Sequence, residues 1–305
     1  MKRTFFQNVS KYKVLLLMLL PATIYVLIFS YLPMGGIILA FKNYNYADGI
    51  FGSPWCGLDN FNFFFSSGQA FKVTRNTLVY NLLFIAINLV MQVGVAVLLS
   101  ELRGKYYKKF AQSVMFLPYF ISWVIVSVIA FNFFSYDYGA INKLLTAMGK
   151  SRVDFYQTTW VWMPILIFFN TWKNIGYGTV MYLAAIMGID TSTYEAADID
   201  GANVFQRIFH ITIPALMPTI VILLLLSVGG IFRGNFDMFY QLVGSNGNLY
   251  DTTDVIDTFT FRALISNNDV GMAAASGLYQ SVFCLVAILI TNYCVKRYDP
   301  DYSLF

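Results

Sequence analysis

Two glutamates occur in 305 residues, and one of them, Glu195, stands in the polar run Tyr194 to Pro218 with Ala196, Ala197 and Gly201 close behind it. A carboxylate beside small side chains at helical spacing suits an ion pair at a surface close enough for backbones to meet. Other chemistry is scarce. The sequence offers no paired carboxylates, metal-ligand cluster or nucleophile with an adjacent base, and the single histidine, His210, reads as a surface residue of the same run. The MGKS tetrapeptide at Met148 to Ser151 ends like a phosphate-binding loop. That loop needs glycine five residues before the glycine of GKS, where Leu144 stands. Cys56, Cys284 and Cys294 make no CxxC pair, and their odd number argues against a disulfide framework.

The elements that position Glu195 follow from composition. The chain is 58% hydrophobic and 12% charged, with mean hydropathy +0.61, more apolar surface than a polar shell can wrap. It belongs in a lipid bilayer. A net charge of +4 spread over scattered basic residues excludes nucleic acid as a partner. About 20 apolar residues cross the hydrocarbon core as a helix. Six runs qualify, at residues 14–41, 77–100, 111–134, 158–187, 211–232 and 271–295. The expectation is an all-α polytopic membrane protein, a single transmembrane domain over residues 1–305. The first run is too long for a signal-peptide core and reads as an uncleaved anchor.

Lys and Arg bias sets orientation. An inside N-terminus puts Lys2, Arg3, Lys11, Lys13, Arg103, Lys105, Lys108, Lys109, Arg207, Lys296 and Arg297 in the cytoplasm, with both termini. It leaves Lys42, Lys72, Arg75, Lys143, Lys150, Arg152 and Arg262 outside among eight aspartates. The outer stretches rich in Gly, Asn and Asp predict irregular caps.

Breakers interrupt the spans. Pro21, Pro33, Pro118 and Pro164 predict kinks, Gly176 and Gly178 a loosened fourth span, and Gly229 with Gly230 a loosened fifth. Broken helices that line a cavity suit transport. Lys173 is the ionisable residue near a span centre, with Asn170, Trp172, Asn174 and Tyr177 around it. An intramembrane charge is a functional hypothesis by default, and aromatics mixed with amides suit sugar CH faces and hydroxyls. Two readings of Lys173 stand: it lines a carbohydrate path, or it snorkels or pairs with Asp237. Asn81, Asn88 and Gln92 face helices or the path. Arg233 and Asp237, four apart, can meet on one helix face.

In the cytoplasmic segment, residues 190–214, Ser192 and Glu195 form a capping-box pattern that predicts a short helix from about Thr193, ended by Gly201. A second short helix follows, capped by Asp200 or Asn203, with Phe205, Ile208 and Phe209 on one stripe. Pro214 marks the turn into the fifth span. The pair predicts a lever joined to a membrane helix; the alternative is an ordinary amphipathic surface loop.

Read as Glu-Ala-Ala, three residues, Gly, nine residues, Ile, one residue, a hydrophobe, Pro, this run resembles the EAA loop of binding-protein-dependent ABC importer permeases. Asp200, Gly201 and Ala202 supply the DGA common in the carbohydrate branch. Further likeness lies in RNTLVYN, FLPYFIS, NFD at Asn235 to Asp237, and GMAAASGLYQS. The whole is similar to the maltose-type family, nearest its oligosaccharide and polysaccharide subfamily, with the type I importer fold. The resemblance implies a non-catalytic permease subunit of the cytoplasmic membrane. Glu195, Ala196, Ala197, Asp200, Gly201, Ala202 and Pro214 would couple it to two cytosolic ATPases. Those partners bind ATP and Mg, and this chain holds no cofactor. A second homologous permease, an extracytoplasmic solute-binding protein and a carbohydrate complete the expected partners. The expected path residues are Asn81, Asn170, Trp172, Lys173, Tyr177, Asn235 and Asp237. Two rivals exist. An ion-gradient transporter needs intramembrane carboxylates that the spans lack, and a membrane-embedded glycosyl-transfer enzyme needs an Asp/Glu cluster at an interface.

Overall fold

The computed structural model describes residues 11–102 and 104–298; Lys2, Arg3 and Arg103, counted above among cytoplasmic charges, lie outside the described residues. Among these residues the chain is helical with no strand, and one isolated bridge joins Lys42 to Trp55. The long helices are α1 (Lys13–Phe41) and, after the short α2 (Asp59–Ser66), α3 (Gln69–Glu101). Next come α4 (Lys105–Phe120), α5 (Trp123–Phe134), the short α6 (Ala140–Ala147) and α7 (Trp162–Ile186). The short α8 (Thr191–Ile199) leads into α9 (Val204–Gly229), then α10 (Phe236–Val243), α11 (Ile256–Ile265) and α12 (Val270–Tyr298).

Four of these, α1, α3, α9 and α12, are long and apolar enough to cross a membrane, and α4 with α5 makes a fifth if the bent pair is one span. The 25-residue α7 has the length, but Asn170, Lys173 and Asn174 dilute its apolar character. Burial is low on the long helices because their outer faces are apolar: Leu17, Met18 and Val90 are all about 70% exposed, as lipid-facing residues are.

Among the described residues, three apolar clusters hold the bundle. Tyr80 and Phe84 of α3, Val126 and Ala130 of α5, Trp162, Ile165, Leu166 and Phe169 of α7, and Met238 and Phe239 of α10 form the largest. A second joins Phe64, Ala70 and Val73 to Ile256, Phe259 and Met272. The third, at the α8 end of the bundle, packs Ala96, Val97 and Leu99 against Tyr182, Leu183, Ile186 and Leu216.

Several expectations are corrected. The connections between the long helices also carry the packed helices α2, α6, α10 and α11, while the stretches rich in Gly, Asn and Asp beside them are turns and single helical turns. Helix α3 starts at Gln69, two turns before the apolar run, and takes Lys72 and Arg75 with it. Gly176 and Gly178 do not loosen α7, which is unbroken. A Cβ on Gly176 would lie 2.1 Å from the Met115 carbonyl oxygen, and one on Gly178 would lie 2.0 Å from Cδ of Gln92. Both glycines let neighbouring helices touch, which is how membrane helices associate when apolar burial supplies no drive. Gly229 and Gly230 end α9 rather than bend it. Of the four prolines, Pro118 makes the real break: α4 and α5 meet at 96°. Pro164 sits in the first turn of α7, where its missing N–H costs nothing.

Candidate functional site

Helix α8 is fixed at both ends by short-range bonds. Its N-cap is Asp190, whose carboxylate accepts from the Ser192 N–H at 2.9 Å. The expected Ser192–Glu195 capping box does not form, because the helix begins two residues earlier and Ser192 already lies inside it. The bond from Ser192 holds the Asp190 carboxyl below its ordinary value. The C-terminus closes on Gly201 at φ +76°. The Ala202 N–H donates to Ala197 O at 2.9 Å and the Gly201 N–H to Asp198 O at 3.2 Å, the paired bonds of a Schellman ending. Gly201 is thus a helix terminator, and the DGA run is the ending itself.

Three ties fasten α8 to the bundle. The Tyr194 hydroxyl and Thr212 Oγ1 are 2.9 Å apart, with Thr212 buried. Arg207 pairs with Asp198 at 2.5 Å and with Glu101, at the end of α3, at 3.5 Å. Sequence reasoning missed Arg207 as a tie and Glu101 altogether; the signal was that Glu101 is the other glutamate, at the end of a span. What remains free is a face of Glu195, Ala196, Ile199, Asp200 and Gly201, all exposed, with Ile199 at 87%. Ala197 and Ala202 are half-buried beside it.

The second short helix is not separate. Asn203 and Gln206 form a true capping box, and the chain then runs unbroken from Val204 to Gly229. Pro214 therefore marks no turn. It sits just after a π turn, Ile208–Thr212, whose wider ring absorbs the missing N–H. Any push on α8 passes into α9 through Arg207 and Thr212, and into α7 through the four residues Met187 to Asp190.

At mid-bundle, α3, α7, α9 and the segment after α9 line an open cavity of about 680 Å³. Its polar lining is Asn81, Asn88, Gln92, Asn170, Asn174, Tyr177, Tyr182, Ser227, Arg233 and Asn235. An amide ladder crosses from α3 to α7: Asn88 Nδ2 donates to Asn170 Oδ1 at 2.9 Å and Gln92 Nε2 to Asn174 O at 3.2 Å. Asn88 Oδ1 is buried with no partner among the described residues. Asn81 donates to Ile231 O at 2.8 Å and Arg233 O at 3.0 Å, which satisfies carbonyls left free beyond the end of α9. Asn235 caps α10 through Met238 N–H at 3.1 Å.

Of the expected path residues, Asn81, Asn170, Tyr177 and Asn235 border this cavity, while Trp172, Lys173 and Asp237 do not. Trp172 packs against the main apolar cluster. Asp237 is exposed in the first turn of α10, and Arg233 lies outside any helix, so the expected Arg233–Asp237 helix pair does not arise. Lys173 neither snorkels nor meets Asp237. Its ammonium donates to Pro118 O at 3.2 Å, to Tyr119 O at 2.8 Å and to Ile121 O. MGKS is explained too: Gly149 at φ +73° ends α6, with Lys150 N–H on Leu145 O at 2.9 Å.

Residues 2–300 match the family described as the binding-protein-dependent transport system inner membrane component. The chain belongs to that family. Protein LplB of Bacillus subtilis is 36% identical over 289 residues, 95% of this chain and 90% of that protein. The polygalacturonan/rhamnogalacturonan transport system permease protein YteP of the same organism is 35% identical over 289 residues, 95% and 89% of the two chains. A crystal structure of a bacterial ABC transporter that imports the acidic polysaccharide alginate contains a chain of TM-score 0.88 and 35% identity, covering 96% of this chain and 99% of that one. The permease is accordingly a multi-pass subunit of the cytoplasmic membrane with the type I importer fold. It does not hydrolyse ATP, which is the work of a separate subunit.

Proposed function

We propose that this permease forms one wall of the path through an ATP-driven importer for an oligosaccharide with acidic units. The observation that carries the substrate class is Arg233. Among the described residues it is the one charged side chain bordering the cavity, whose other polar groups are carboxamides and hydroxyls. Amides and Tyr177 suit sugar hydroxyls and CH faces, and a guanidinium binds carboxylates in bidentate fashion. The names of the relatives, alginate and polygalacturonan among them, support the same class.

In this reading six spans cross the bilayer with both termini inside, α7 being the fourth of them despite its polar residues. A second, homologous permease supplies the opposite wall. Two cytosolic ATPases hold ATP and Mg, and this chain binds no cofactor. A solute-binding protein delivers from outside, as in the alginate importer crystallised with its substrate-bound periplasmic protein. The free face of α8 seats in an ATPase groove: Glu195 meets a basic residue, and Ala196, Ala197, Asp200, Gly201, Ala202 and Pro214 shape or position that face. Closure of the ATPases then tilts α7 and α9 and alternates access.

Uptake into vesicles of the assembled importer tests the substrate class. Arg233→Gln should weaken uptake of an oligogalacturonate or oligoalginate by about 10- to 100-fold, the worth of a charge-assisted hydrogen bond. A neutral maltooligosaccharide carried by the same importer should lose little. Equal losses for both, or none for the acidic sugar, would overturn the acidic assignment.

A further inference from the structure

The break between α4 and α5 leaves the oxygens of Tyr119 and Ile121 without a backbone donor among the described residues, and that of Pro118 with only the Ile121 N–H, 3.2 Å away, that closes the turn. The 3-10 turn ends at Phe120, Ile121 is extended at φ −74° and ψ 129°, and Ser122 restarts the helix as N-cap. Each unpaired carbonyl in hydrocarbon costs several kcal/mol. The oxygens of Pro118, Tyr119 and Ile121 converge on one atom, Nζ of Lys173. An ammonium has three N–H donors, so donors and acceptors match in number. The rings of Tyr119 and Trp123 lie 5.9 and 5.4 Å from the charge and close the cage. Lys173 is 8% exposed, and no carboxylate pairs with it among the described residues.

Carbonyls of an unwound membrane helix ordinarily coordinate a free cation. Here the cation is covalently part of α7. The cage also sits beside the cavity: the Tyr119 ring stacks on Tyr177 with centroids 4.7 Å apart and planes 11° from parallel, and Tyr177 borders the cavity. One turn along, Gly176 lets α7 touch the backbone of Met115 and Phe116. Helix α7 continues from Lys173 for about 20 Å to Ile186 at 1.5 Å per residue, and α8 follows after four residues.

We propose that Lys173 is a tethered cation that locks the break in the third span onto α7, so that the Tyr119–Tyr177 stack moves as one body with the coupling helix. Lys173 is then a positioning residue for transport and touches no solute. The inference rests on the reading of α8 as the docking helix, but not on which sugar crosses.

The test uses the assembled importer in lipid nanodiscs with Cys56, Cys284 and Cys294 replaced. Tyr119→Cys with Tyr177→Cys reports the stack by copper-phenanthroline cross-linking, without nucleotide and with MgATP trapped by vanadate. With Lys173 present the yield should be the same in both states. With Lys173→Met, which keeps the length but not the charge, the yield in the trapped state should fall about fivefold, the effect of roughly 1 kcal/mol on a two-state contact. Binding-protein stimulation of ATP hydrolysis, read with Tyr119 and Tyr177 intact, should fall with it. Lys173→Ala should regain stimulation with n-propylammonium and not with n-propanol. Unchanged cross-linking in the methionine variant overturns the proposal. So does equal rescue by the alcohol, or an alanine variant that the amine fails to restore, the deciding result if the methionine variant does not assemble.

Discussion

Helix α8 and the cavity wall are held in opposite ways. Helix α8 takes its caps from Asp190 and Gly201 within its own few residues, and its ties to Arg207 and Thr212 span fewer than 20 positions. The wall joins distant parts of the chain: Asn88 with Asn170 and Gln92 with Asn174 are each 82 positions apart, and Lys173 reaches back 52 to Ile121. A locally built foot keeps its shape while it binds and leaves another protein. A wall made of long-range amide and carbonyl contacts moves only when whole helices move. The division suits a machine whose work arrives at one end and is used at the other.

The largest expected effect lies in the wall. Gly176→Val should abolish assembly, because its Cβ alone would sit 2.1 Å from a backbone oxygen that has no side-chain freedom to yield; overpacking of this kind costs about 3 kcal/mol or more. The measurement is the yield of monodisperse importer in detergent, and a full yield would mean that α4 and α7 can part. The foot should tolerate more. Gly201→Ala leaves open space around the new methyl but forces it into the left-handed region, a loss of about 1 kcal/mol, read as faster hydrogen exchange at the Gly201 and Ala202 amides.

Much of the foot was legible in the sequence because its contacts are local. The Gly201 terminator follows from residue types at short spacing, and the next cap was narrowed to Asp200 or Asn203; the unbroken run into the fifth span was not read, because Pro214 looked like a turn. The Asp190 cap was missed because Ser192 and Glu195 fit the same box pattern two residues later, and both patterns cannot be used. The wall was read less well. Asn81, Asn88 and Gln92 are conspicuous as amides in an apolar run, so their inward placement was expected. Gly176 and Gly178 looked like weak points, since nothing in their neighbourhood announces Met115 and Gln92 across the bundle. Lys173 was noticed as a charge, yet its partners are backbone oxygens, which have no residue type to read. Proline at Pro118 was the usable signal: a break frees carbonyls, and a nearby buried lysine can answer them.

Smaller effects sharpen the contrast. Arg207→Ala should loosen α8 from α3 by roughly 1 kcal/mol, a modest figure because Asp198 and Glu101 are partly exposed and water screens such pairs; the readout is reduced coupling between ATP hydrolysis and uptake, with assembly intact. The smallest change should be acidification acting on Asp190. Its carboxyl is lowered in the folded chain by the Ser192 amide, so its stabilising effect is complete above the ordinary aspartate value and is lost as pH falls through the folded one. Protection of the Ser192 amide, taken relative to its intrinsic exchange rate, should fall at acid pH in the native protein and show no such dependence in Asp190→Asn. The same pH response in both would place the cap elsewhere.

The central claim is that force enters through α8 from a separate motor. It is tested most directly by ATP hydrolysis in the assembled importer carrying Glu195→Ala with Gly201→Asp, with and without solute-loaded binding protein. The account predicts an inserted, assembled complex whose stimulated hydrolysis falls at least about tenfold, equivalent to 1.4 kcal/mol of coupling. Stimulation at the wild-type level in that variant would contradict it.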